Sequence, residues 1–135
     1  MQSPLQPFNI KTLHLKISVI AISVIAVAYG LYPNNILPKI FDFKADTVDL
    51  KNILRAIMGL YLGMVAVWIT GIIKPSLWLT ATITNIVFMG GLAVGRLISL
   101  FFDGPPGFYL LSGLIAELIL TCWGIFNLYK YSNPN

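Results

Sequence analysis

Four long apolar runs, at about 13–32, 50–73, 77–102 and 108–129, set the pattern of the chain. Each approaches or exceeds the ~20 residues with which a helix crosses ~30 Å of hydrocarbon. Hydrocarbon offers the backbone no hydrogen-bond partner, so each run is expected to close its own bonds as a helix. The breaks between runs have chemical causes. Pro33 and Pro38 bracket the end of the first run, Lys74-Pro75 ends the second, and Asp103-Gly104-Pro105-Pro106-Gly107 separates the third from the fourth. Asp46 and Thr47 are candidate N-caps for the second helix, with Asp49 in its first turn at the positive end of the dipole. Connections this short make neighbouring spans antiparallel. The pattern predicts an all-α membrane protein, an antiparallel four-transmembrane-helix bundle forming one domain over residues 1–135. Both termini fall on one side (side A), and the loops at 33–49 and 103–107 on the other (side B).

Composition sharpens this. Hydrophobic residues make up 57% of the 135 and charged residues 10%, against about 25% charged in a soluble domain. That balance excludes a water-soluble globular fold and, more firmly, disorder. The net charge is +4, but the basic residues are scattered around the spans without a basic stripe, so nucleic acid is not an expected partner. Cys122 stands alone in an apolar run, so it forms no internal disulfide and is read as a buried small hydrophobe. Metal-ligand and cofactor motifs are absent from the sequence, and no cofactor is expected.

Lys11, His14 and Lys16 ahead of an apolar stretch reaching Ala26-Val27-Ala28 resemble a secretory leader; a retained first span preceded by His14 is the expectation. Side A carries Lys11, Lys16, Lys74 and Lys130 and side B carries Lys39, Lys44 and Lys51, a thin positive-inside bias towards cytoplasmic termini. Trp68, Trp78 and Trp123 all fall towards side A, as an aromatic belt would. In the loop at 33–49, Ile36, Leu37, Ile40, Phe41 and Phe43 are interleaved with Lys39, Asp42 and Lys44. This reads either as a segment lying in the headgroup region or as an irregular cap over the bundle.

Three charges lie inside the runs: Arg55, Arg96 and Glu117. Unpaired near the bilayer centre, each costs at least ~2.5 kcal/mol. Counted along their helices, all three sit ~7–15 Å from the side-B ends. Asn85, Met89, Leu92, Arg96, Ser99 and Asp103 form one stripe; Asn52, Arg55, Gly59 and Gly63 share a face; Gly113, Glu117, Thr121 and Gly124 share another. A charge beside glycines is expected to face the bundle. Arg55, Arg96 and Glu117 are therefore expected to converge on a polar pocket, with Asp49, Asn52, Ser99 and Asp103 at its mouth. Two arginines against one glutamate leave a positive excess, which Asp49, Asp103 or an anionic ligand group would neutralise. The plain reading is an ion network that fixes helix register; the sharper ones are a lipid or ligand site, or ion or proton transport. Gly59-Leu-Tyr-Leu-Gly63 and Gly91-Leu-Ala-Val-Gly95 are small-residue patterns expected to pack within the bundle, with dimerisation as the alternative.

The stretch Asp46-Thr-Val-Asp-Leu-Lys-Asn-Ile-Leu-Arg55-Ala-Ile-Met-Gly59, the stretch Met89-Gly-Gly-Leu-Ala-Val-Gly95-Arg96-Leu-Ile-Ser99-Leu-Phe-Phe-Asp103-Gly104-Pro105-Pro106, and Glu117 resemble the DUF4345 family of small four-span bacterial membrane proteins. The resemblance covers roughly residues 15–130, with a more distant similarity to DoxX-like four-helix membrane proteins. It implies the topology, a bacterial inner membrane and the choice of polar residues, but no activity. Three function classes follow. The first is a non-enzymatic module binding a lipid, quinone or other small amphiphile, or docking as a subunit of a membrane complex. The second is a small proton-coupled exporter working as a homodimer. The third is a membrane isomerase with Glu117 and Asp103 as acid and base.

Overall fold

The computed structural model describes residues 9–132. Five α-helices follow one another: α1 (Ile10–Gly30), α2 (Pro33–Ile40), α3 (Val48–Ile73), α4 (Trp78–Phe102) and α5 (Phe108–Ser132), with a 3-10 turn at Pro75–Leu77 between α3 and α4. All but α2 are long and apolar enough to cross a membrane. Helix α1 starts earlier than the apolar run because Asn9 caps it, its side-chain oxygen accepting the Lys11 N–H at 3.2 Å. His14, expected to precede the first span, lies in the second turn of α1 and is fully buried. Thr47 caps α3, its hydroxyl oxygen accepting the Leu50 N–H at 3.1 Å, and Pro75 stops it. Gly104, at φ +94°, makes the turn out of α4 that a side chain would strain.

Helix α1 packs mainly on α3 and α4 mainly on α5, with α3 and α4 joining the two pairs; α1 and α5 meet only sparingly. The shared core is built from Leu15, Ile22, Tyr61, Val65, Trp68 and Met89, with Phe88 set edge-on to both Tyr61 and Trp68. Trp68 and Trp78 are thus core residues and do not form a lipid-facing belt. The Trp78 indole N–H donates to the Lys11 carbonyl at 3.1 Å, tying α4 to the start of α1. Cys122, expected inside, is exposed on α5. The 33–49 segment is a cap that contains its own helix: Leu37 of α2 is fully buried against Ala45 and Leu54.

The close helix contacts use glycines other than those in the paired patterns. A side chain at Gly30 would collide with Met58, one at Gly71 with Ala81, and one at Gly124 with Ile86. Gly59, Gly63, Gly91 and Gly95 are exposed, and a Cβ at any of them would meet nothing within 4 Å. The expectation that these four pack within the bundle is corrected. The spacing says that two glycines share a face, not where that face points. Gly63 lies about 200° around α3 from the buried Tyr61, so it looks outwards.

Candidate functional site

Arg96 projects from α4 and Glu117 from α5. The Arg96 Nε–H donates to both carboxylate oxygens of Glu117, at 3.0 Å each. This is the sole ion pair among the described residues. Glu117 is nearly enclosed, with its side chain 8% exposed, whereas that of Arg96 is 26% exposed. Two features of α5 make room for the pair. Gly113, one turn before Glu117, leaves its surface bare beneath the guanidinium, where a Cβ would stand 3.9 Å from Nη2. Thr121, one turn after it, turns its hydroxyl back to donate to the Glu117 carbonyl at 2.7 Å, so no second polar side chain competes for the carboxylate.

Two tyrosines complete the surroundings. Tyr29, in the last turn of α1, and Tyr61 of α3 belong to the neighbourhood of the two charges. The rings of Tyr29 and Tyr61 are 6.2 Å apart, centre to centre. Each of the four long helices thus contributes one polar residue to this level of the bundle. The sequence analysis missed both tyrosines, since each reads there as another aromatic in an apolar run. The available signal was their register opposite Arg96 and Glu117 once the helices are paired.

Arg55 does not join them. It is exposed and lines a separate hollow with Lys51 and residues 31–35. The expectation of three converging charges is corrected, and the reason is the stagger of the helices. Gly30, at the end of α1, lies against Met58, so α3 projects beyond α1 by nearly three turns towards side B. Counting from the start of α3 therefore overstates the depth of Arg55, which lies level with the chain leaving α1. Asp49, Asn52, Ser99 and Asp103 are all exposed. Ser99, one turn beyond Arg96, spends its hydroxyl on the Asp103 carboxylate at 2.8 Å, and Asp103 lies about two turns from Arg96, so both face away from the pair. Arg55 also joins Lys39, Lys44 and Lys51 on side B, four basic residues against four on side A, and the positive-inside margin disappears.

A second polar cluster lies towards side A. His14 Nδ1 and Asn127 Nδ2 are 2.9 Å apart, joining α1 to α5. Asn85 and Thr82 of α4 and Trp68 of α3 are buried in the same half of the bundle. Among the described residues, six side-chain atoms of this group lack a protein hydrogen-bond partner, including His14 Nε2, Trp68 Nε1 and both polar atoms of Asn85.

A groove opens where α1 and α5 separate. Ile25, Ala28, Tyr29, Ile40, Phe41 and Tyr109 line an open hollow of about 220 Å³. Ile40, Phe41 and Tyr109 also border a neighbouring hollow of about 360 Å³ under the α4–α5 turn. Tyr29 belongs both to the groove wall and to the surroundings of Arg96.

The model of a domain of unknown function, DUF4345, matches residues 10–128, a span that holds Tyr29, Tyr61, Arg96 and Glu117. The chain belongs to the DUF4345 family. No curated protein and no solved structure matches it. With its four long apolar helices, this DUF4345 member has the build of a multi-pass integral membrane protein.

Proposed function

We propose that the chain is a non-enzymatic membrane binding module that seats the polar head of a small amphiphile on Arg96 and its tail in the groove between α1 and α5. The observation that carries this reading is the way Arg96 meets its partner. Both hydrogen bonds to the carboxylate come from Nε, so the terminal nitrogens of a five-donor guanidinium stay outside that contact. Glu117 is the enclosed member of the pair and Arg96 the accessible one. Tyr29 connects the guanidinium to an apolar groove whose adjoining hollows approach the ~300–1,000 Å³ of ordinary ligand pockets.

Charge selects the head group. With Arg55 elsewhere, the pair is neutral, and an anion would be left without compensation. A neutral acceptor, such as a quinone or ester carbonyl, matches the remaining N–H donors and the Tyr29 hydroxyl. The test is equilibrium binding of a single-chain monoacylglycerol and of decylubiquinone to the delipidated protein in detergent. The double variant Arg96→Met/Glu117→Leu removes both charges and so avoids stranding one of them in the core. Saturable binding of either probe to wild type, lost in the double variant and weakened in Tyr29→Phe, is expected. Equal binding by all three proteins would remove the reading.

A further inference from the structure

We propose a second, separate ligand site: a phosphate site at the side-B membrane boundary, formed by Lys51, Arg55, Asn34 and Asn35 and occupied by the phosphate of an anionic lipid. It does not depend on the reading of Arg96. The four side chains and Tyr32 border a hollow of about 220 Å³. Lys51 and Arg55 stand one helical turn apart on α3, so two like charges share one face and repel. Neither has a carboxylate within ion-pair distance among the described residues, since Arg96 and Glu117 form the sole pair there. Both cationic groups are therefore free of a contacting carboxylate among the described residues. The site's chemistry, an ammonium, a guanidinium and two amides, supplies donors for the several oxygens of one phosphate group.

Position decides between sources of that phosphate. Gly30 against Met58 places Arg55 level with the chain leaving α1, where the apolar spans give way to the loop. Headgroup phosphates sit at this depth, and an arginine that faces outwards there is stabilised by them. Leu31 borders the hollow, and Val27 and Ile20 continue from it along the same exposed face of α1. That apolar strip runs from the hollow into the bilayer, as the acyl chain of a lipid would. A free phosphate ion would make no use of it.

Native mass spectrometry of the detergent-purified chain, offered phosphatidylglycerol and phosphatidylcholine of matched acyl chains, tests the proposal. Wild type is expected to retain phosphatidylglycerol in preference. Lys51→Gln/Arg55→Gln is expected to lose that preference by roughly tenfold or more, since each basic side chain near an anionic headgroup contributes substantially. Arg55→Lys, which keeps the charge, and Lys130→Gln, at the other end of the bundle, are expected to keep it. Both altered side chains lie on the outer surface, and an unchanged melting temperature shows that the fold is intact. Equal lipid retention by wild type and the double variant overturns the site. Displacement of phosphatidylglycerol by excess inorganic phosphate overturns the lipid as its occupant and assigns the free ion instead.

Discussion

Arg96 holds Glu117 by Nε alone, with that one N–H 3.0 Å from each carboxylate oxygen. An arginine that gripped the carboxylate as a two-pronged fork would have spent its terminal donors. Here the carboxylate is satisfied and the guanidinium still has donors to offer. The relationship also makes the two residues unequal in what their removal does.

Replacing Arg96 by alanine leaves the carboxylate of Glu117 enclosed and uncompensated. Breaking a buried pair from one side costs about 3–5 kcal/mol, whereas replacing both members by apolar residues of similar size is often neutral. Arg96→Ala is therefore expected to lower the melting temperature in detergent sharply, and Arg96→Met/Glu117→Leu to restore most of it. If the double variant is as unstable as the single one, the pair does not behave as a unit.

The glycines divide into two groups with opposite responses. Gly71→Val and Gly124→Val drive a side chain into Ala81 and Ile86, and overpacking of this kind costs about 1–3 kcal/mol. Gly59→Ala and Gly91→Ala fill open space on helix faces, so unfolding of the isolated chain is expected to become harder by up to ~1 kcal/mol. Parallel thermal melts of the four variants in one detergent check the contrast.

The fold was legible because it rests on run lengths and breaks. Pro75 and the Gly104-Pro105-Pro106 turn end helices where the sequence places them, and Thr47 caps α3 as its position before Val48 suggests. Glu117 and Arg96 were legible as residues too polar for lipid that share faces with Gly113 and Ser99. What failed was anything that depends on how far one helix slides past another. Counting along α3 alone overstates the depth of Arg55, and the Gly30–Met58 contact that fixes the stagger has no signature in the sequence. The outward glycines failed for a related reason: in a four-helix bundle more of each helix faces lipid than protein, and a glycine pair carries no sign of which. Tyr29 and Tyr61 became visible only after pairing brought them to the level of Arg96.

The buried amides on side A are expected to differ in the same assay. Asn127 is bonded to His14 at 2.9 Å, so Asn127→Leu leaves the imidazole without its partner and is expected to cost about 1–3 kcal/mol. Neither polar atom of Asn85 has a partner among the described residues, so Asn85→Leu, which preserves volume and removes the burden of an unpaired amide, is expected to be neutral or stabilising. A large loss of stability from Asn85→Leu would mean that the amide holds a partner of its own.

The cap over side B depends on one side chain. Leu37 is fully buried against Leu54 and Ala45, and truncating a leucine in such a setting costs about 2–5 kcal/mol. Because that contact holds α2 to the bundle, Leu37→Ala is expected to expose the 33–47 segment to protease while α4 and α5 stay resistant. Uniform cleavage along the chain would contradict a local role.

The most direct test of the binding account is a photo-cross-linking map with a monoacylglycerol carrying a diazirine in its tail. In wild type, adducts are expected to concentrate on Ile25, Ala28 and Tyr109, the walls of the α1–α5 groove, and to leave those positions in Arg96→Met/Glu117→Leu. Adducts spread evenly over outward residues such as Leu60 and Val87, unchanged in the double variant, would show the probe behaving as bulk lipid and would contradict a seat at Arg96.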